Sequence, residues 1–303
     1  MPPSALPASI RHAIILQVRQ LVGGTGDDTV ERNRQDTGLF GPKSACWKVH
    51  GDFTSMMVGG VAALLLQMLH PGALAGVWDH SNFRHDMAGR LKRTARFISG
   101  TTYGDRAEAQ ALIDHVLEIH AKVVGVLPDG SPYSADDPDL LAWVHVSEVS
   151  SFLAAYLRYV DPAFPPAEQD RYFLETAEIA RRLGAPRVPQ SRADVAAYLE
   201  ATRPQLRYDH RTREVAQALL SQTPQSALAA PAMRLTFDAA KDLLPEWAAA
   251  LHGFRLTPTR RAATRLGLQT LGRGMRWALV NSAEARARRR ADELAHAAAT
   301  NGA

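Results

Sequence analysis

Apolar residues recur along most of this chain at spacings of three and four, the pattern of helices that bury one face. The clearest stripe, Ile113, Val116, Leu117, Val123, Val124 and Leu127, predicts a helix over 107–127 with Asp114, His115, Glu118 and Lys122 on its polar side. Similar patterns predict helices over 89–99, 138–160, 167–183, 192–202, 211–221, 232–252 and 259–298. The most apolar run, 56–69, is shorter than the roughly 20 residues a membrane-spanning helix needs, and it predicts a buried core helix. Asp52 or Thr54 is placed to cap its start, and His70-Pro71-Gly72 ends it. Two boundaries are marked by their chemistry. Asp137-Pro138 supplies a cap and a first-turn proline, and Leu183-Gly184-Ala185-Pro186 stops the preceding helix. Strand patterns are sparse and no fixed period repeats, so the expectation is an all-α fold in a single large helical domain. The polar, Gly- and Pro-punctuated stretch 33–50 reads as a loop or lid. The chain divides into an N-terminal helix and loop or lid (1–45), a main helical domain (46–260) and a basic C-terminal helix (261–303) that packs on or extends it.

Composition narrows the class. With 303 residues, 46% hydrophobic and 22% charged, the chain can bury a substantial core and is neither disordered nor fibrous. The net charge is only +4, with the basic excess between Arg260 and Arg290, which reads as a solvated helix face. No nucleic-acid partner is expected, and docking of that stretch on a partner or an acidic membrane is the less favoured reading. Cys46 is the only cysteine, which rules out an internal disulfide, a cysteine-rich zinc site and a cysteine-ligated iron-sulfur cluster. Pro2, Pro3 and Pro7 come early, and Arg11 and Arg19 bracket a short apolar stretch at 13–18, so a signal peptide's longer apolar core is missing. A cytoplasmic protein without a transmembrane segment is expected.

Candidate chemistry rests on histidines. His120 lies on the apolar stripe of the 107–127 helix, whereas His115 lies on the polar face. A lone histidine on an apolar face is more often a hydrogen-bonded core residue than a ligand. Neutral imidazole is, however, a strong axial ligand for haem iron, and a helix is a familiar way to deliver one. Arg90, Thr94 and Phe97 share a helix face, which points a guanidinium and a hydroxyl the same way. Beside a haem they can pair with a propionate and hydrogen-bond dioxygen; a basic surface helix is the plainer reading of the same spacing. His145 and Glu148 sit among Leu141, Val149, Phe152 and Tyr156, where burial demands partners, so they form either a structural pair or part of a pocket. A di-iron carboxylate bundle needs two Glu-x-x-His segments. Only Glu293-x-x-His296 is present, and the His-Glu-x-x-His of zinc proteases is absent. His70, His80 and His85 form a loose cluster with Asp79 and Asp86 that matches no strict metal motif.

Several strings, in order, resemble the rubber-oxygenase (latex-clearing protein) family, whose wider group includes the fungal oxygenase MpaB. They are His70-Pro71; Gly76-Val77-Trp78-Asp79-His80-Ser81-x-Phe83; Arg90-Leu91-x-x-Thr94-x-x-Phe97-Ile98; Tyr103-Gly104; His120 with Gly125; and Trp143-Val144-His145. The resemblance runs from about Trp47 to the Leu183-Gly184-Ala185-Pro186 turn and weakens beyond it. It implies an all-helical domain enclosing one non-covalent haem b, with dioxygen used against carbon-carbon double bonds of a hydrophobic unsaturated small molecule or isoprenoid. By position, His120 matches the proximal iron ligand, Arg90 and Thr94 match a distal Arg-x-x-x-Thr, and His145 matches the histidine of a Trp-x-His segment. Arg93 stands where the latex-clearing enzymes carry a lysine that can approach the iron, so distal control and substrate are expected to differ. Asp79 or His80 can serve as a base or gate, or simply as a cap and a surface histidine. The alternative to an enzyme is a non-catalytic haem-binding or partner-binding helical protein.

Overall fold

Two apolar helices, α2 (Phe53–Gln67) and α6 (Pro138–Tyr159), pack against each other along most of their length and form the centre of the fold. Gly59 makes this approach possible: a Cβ there would lie 3.0 Å from the Cα of Phe152 and 3.0 Å from the carbonyl of Ser151. The computed structural model describes residues 36–224, 226–279 and 282–301, together with position 15. Most of the predicted N-terminal segment lies outside the described residues.

The other elements wrap this pair in chain order. They are α1 (Ala45–His50), α3 (Pro71–His80), α4 (Phe83–Tyr103), α5 (Arg106–His120), strands β1 (Val124–Val126) and β2 (Pro132–Ser134), α7 (Pro166–Arg182), α8 (Arg192–Thr202), α9 (His210–Leu220), α10 (Ala230–Leu243), α11 (Glu246–Leu251), α12 (Pro258–Ala278) and α13 (Ala283–Asn301). The fold is all-α apart from one small antiparallel hairpin, in which Gly125 pairs with Tyr133. The main core gathers Val58, Leu65, Trp143, Leu219 and Leu268 from α2, α6, α9 and α12, with Leu69 from the turn after α2. Helix α6 is long and apolar enough to cross a membrane, but more than half of it is buried inside the fold as the partner of α2.

Local chemistry explains where the observed elements depart from the expected ones. The helix expected over 107–127 ends at His120. Val123, Val124 and Val126 are β-branched, and Pro128-Asp129-Gly130 turns the chain with Gly130 at φ 87°, so these residues form a hairpin. The 232–252 helix is two helices, because Pro245 cannot continue a helix and forces Leu244 into an extended conformation. The 259–298 segment likewise breaks between Ala278 and Ala283. Two helices were not expected: α1 lies in the stretch read as a loop or lid, and α3 in a stretch given no element. At α1, Ser44 caps through Trp47 N; at α3, His70 Nδ1 accepts from Gly72 N at 3.2 Å with Pro71 in the first turn. Asp52, not Thr54, caps α2, accepting from Ser55 N at 2.7 Å. Helix α4 begins earlier than expected but is interrupted at Asp86, whose carboxylate accepts from Gly89 N at 2.9 Å and restarts it.

The C-terminal helices are tied to the rest by buried acids. Asp242 on α10 has a nearly inaccessible carboxylate and meets Arg265 at 2.8 Å, Arg261 at 3.2 Å and Arg158 at 3.5 Å. Asp52 meets Arg276 of α12 at 2.6 Å, and Arg290 of α13 donates to the carbonyl of Tyr103 at 2.7 Å. The basic stretch is therefore engaged in pairing as well as solvation.

Candidate active site

A cavity of about 270 Å³ lies between α2, α3, α4, α5, α6 and α9, close to the lower limit of small-molecule pockets. Its walls are apolar: Leu64 and Met68 from α2, Leu141 and Val144 from α6, Met87 from α4 and Leu219 from α9. Helix α3 faces it with Gly72, Ala73 and Gly76, whose missing bulk leaves the void. Polar groups are few and come from different elements: His120, Arg90, His80, Tyr133 and Gln67.

His120 closes α5, a helix started by Asp105 accepting from Glu108 N at 2.8 Å. Its ring is half-buried in the cavity wall, and its Nδ1 is buried without a hydrogen-bond partner among the described residues. Burial lowers its pKa, against a smaller opposing pull from Asp136, so the imidazole is neutral at neutral pH with a lone pair to offer. Across the cavity the half-buried guanidinium of Arg90 has no hydrogen bond or carboxylate partner among the described residues. Burial, then the neighbouring Arg93, lowers its pKa, which marks a cation that an incoming anion would stabilise.

Thr94, Arg93 and His145 are not brought to this cavity. Thr94 lies one turn from Arg90, and its hydroxyl donates to the carbonyl of Arg90 at 3.2 Å. Arg93 points outward, its side chain 68% exposed, and pairs with Asp86 at 3.2 Å. His145 is absent from the lining; its Nε2 is buried without a partner. It makes no hydrogen bond with Glu148, so the two do not satisfy each other. The histidine cluster also disperses. His70 caps α3, His80 donates from Nε2 to the carbonyl of Val124 at 3.1 Å, and His85 is exposed. Among the described residues no group of three His, Cys, Asp or Glu side chains is placed to hold a metal ion. Glu293 and His296 are exposed on α13.

Residues 47–277 match the family described as "ER-bound oxygenase mpaB/B'/Rubber oxygenase, catalytic domain". The chain belongs to this mpaB/rubber oxygenase family. The match covers every element lining the cavity, and an oxygenase domain takes a small-molecule substrate and oxygen. No curated protein and no solved structure matches the chain.

Two features of this oxygenase domain escaped the sequence reading. Tyr133, which lines the cavity, sits between the helices expected over 107–127 and 138–160; its only signal is an aromatic residue just after the Pro128-Asp129-Gly130 turn. A second polar group lies away from the cavity, where His50 is held between Thr102 Oγ1 and Tyr172 Oη, both at 2.9 Å. Cys46 is buried beside it, with Sγ 3.7 Å from His50 Nδ1, and burial followed by the charge of Glu175 pushes the thiol pKa up. A buried thiol held protonated in this way is unreactive.

The buried histidines make stability sensitive to acid. Burial lowers His50 to about 3 and His145 to about 4, from ordinary values of 6.5. Between these limits the unfolded chain binds more protons, so stability falls as pH drops below 6.5 and is fully present only above it. Glu148, raised by burial to about 7 from 4.5, works in the opposite sense and offsets one histidine over that window. Urea midpoints should therefore decline from pH 7 to pH 4 at about 1.4 kcal/mol per pH unit for each uncompensated proton. Glu148→Gln should steepen the decline and His50→Gln should flatten it; midpoints that do not change with pH would contradict the assignment.

Proposed function

We propose that this domain is a haem b-dependent oxygenase that acts on a carbon-carbon double bond of a hydrophobic small molecule. The observation that carries the reading is His120, whose buried Nδ1 has no partner among the described residues, in an apolar cavity that also holds a guanidinium unpaired among them. Such a donor set suits haem: a neutral imidazole for the iron, a cation for a propionate, and aliphatic walls for the macrocycle. His120 would hold the iron and Arg90 a propionate. Bound haem supplies the activation of dioxygen, chemistry that no side chain of this chain provides. The protein's own part is to wall the site with apolar side chains, among them Leu64, Met68, Met87 and Val144, and to keep bulk water from the reacting carbons.

The test is direct. Titrating purified protein with haemin should give a Soret band that saturates at one equivalent. The reduced protein should then consume oxygen with an unsaturated isoprenoid and yield carbonyl products detectable by mass spectrometry. Failure to develop a Soret band overturns the haem assignment, and a red protein inert to a panel of olefins overturns the reaction.

A further inference from the structure

The hairpin that follows His120 is anchored to α3 through side chains of the Trp78-Asp79-His80 segment. Tyr133 Oη donates to Asp79 Oδ2 at 2.6 Å, and His80 Nε2 donates to the carbonyl of Val124 at 3.1 Å. Tyr133 is buried, and its ring lies directly over Gly125: a Cβ there would stand 2.7 Å from Oη and 2.8 Å from two ring carbons. The hydroxyl stays protonated as a donor, since burial and then the Asp79 carboxylate raise its pKa to about 12. Tyr133, His80 and His120 all line the same cavity.

Backbone continuity links this anchor to the imidazole. Val123 N donates to the carbonyl of His120 at 2.9 Å, and Ala135 N donates to the carbonyl of Val123 at 2.9 Å. The outer face of the hairpin is open to solvent. Val124 and Val126 are 55% and 65% exposed, and Ile119 beside His120 is 46% exposed. A two-stranded hairpin is marginal by itself, so its placement depends on what its inward residues, Tyr133 among them, make with α3.

We infer that Asp79 and Tyr133 are positioning residues for this site, a latch that fixes the hairpin over the cavity and thereby sets where His120 presents its ring. Asp79 acts through the Tyr133 hydroxyl, not by touching a reactant. The role as it bears on the iron rests on the haem reading above, whereas the latch itself does not.

Two measurements separate the claims. The first is amide hydrogen exchange of the protein without added haemin, for the parent, Tyr133→Phe, Asp79→Ala and Asp79→Asn. Loss of a hydrogen bond to a carboxylate should speed exchange at Val123, Leu127 and Ala135, whose amides are hydrogen-bonded in the hairpin, by about tenfold in Tyr133→Phe and Asp79→Ala. Amides of α2 and α6 should be unaffected, and Asp79→Asn, which keeps an acceptor, should stay near the parent. The second is the rate of haemin transfer to excess apomyoglobin, with the Soret position recorded. Tyr133→Phe and Asp79→Ala should each release haemin about tenfold faster, the double variant no faster than either, and Asp79→Asn close to the parent. Unchanged exchange in Tyr133→Phe and Asp79→Ala overturns the latch. Faster exchange with an unchanged release rate overturns the link to His120. If the parent takes up no haemin, the haem reading fails while the exchange result still decides the latch.

Discussion

Replacing His120 with alanine is expected to abolish the Soret band of the haemin-loaded protein and to weaken haemin binding by about 100-fold or more. Loss of a group that merely orients a metal ligand costs about 10- to 100-fold in affinity, and loss of the ligand itself should cost at least the upper figure. The apoprotein should remain folded. His120 is the last residue of α5, is half-buried and makes no side-chain hydrogen bond through Nδ1, so alanine removes little packing and suits a helix end. Far-ultraviolet circular dichroism and the urea midpoint should stay near the parent. Free imidazole added to His120→Ala should restore part of the band, because it can occupy the space the side chain left. An intact Soret band at one equivalent in His120→Ala would place the iron on another residue.

The second large effect concerns the fold. Gly59→Val should destabilise the protein by about 3 kcal/mol or more, a large share of the roughly 5–15 kcal/mol that holds a native domain together. The reason is the contact of α2 with α6. A Cβ at 59 meets Phe152 Cδ1 at 2.9 Å, Phe152 Cα at 3.0 Å and the Ser151 carbonyl at 3.0 Å, and two of these are backbone atoms that cannot rotate away. Gly60 provides the control one residue along. A Cβ there stands 3.7 Å from Phe152 Cε1, an ordinary contact, so Gly60→Ala should be tolerated and can gain up to about 1 kcal/mol of helix propensity. Equal urea midpoints for Gly59→Val and the parent would show that the two helices are free to separate.

How far the sequence could be read depended on where the deciding interactions lie. Helices built on one-sided stripes were legible: 167–183 is found as Pro166–Arg182 and 211–221 as His210–Leu220, and Asp137-Pro138 starts α6 as expected. Periodicity failed where an apolar run meant something else. Val123 and Val124 extend the stripe of α5 on a helical wheel, yet their branched side chains and the turn after Leu127 favour a strand, and the hairpin is confirmed only by its partner at Tyr133. Short helices such as α1 and α3 carry too few residues for a period and are revealed by their caps, one of which is the side chain of His70. In the site, local spacing placed His120 and Arg90 on faces that do meet at one cavity. Spacing along one helix could not settle which neighbours of Arg90 go with it. Thr94 folds back on its own helix, and Arg93 is drawn outward by Asp86, a residue seven positions away whose role follows from a helix interruption that no pattern announces. The His145–Glu148 pairing fails for a related reason: adjacency on a helix permits a bond without requiring one.

Asp242 has a consequence for how the molecule can be cut. Two of the three guanidinium groups that neutralise this inaccessible carboxylate, those of Arg261 and Arg265, come from α12. Ending the chain near position 260 would leave this interior carboxylate with Arg158 alone and strip Leu268 from the core, so the C-terminal segment is not a detachable appendix. A minimal expressible unit has to retain α12, and any library that shuffles C-terminal segments must carry Asp242 and its arginines as one block.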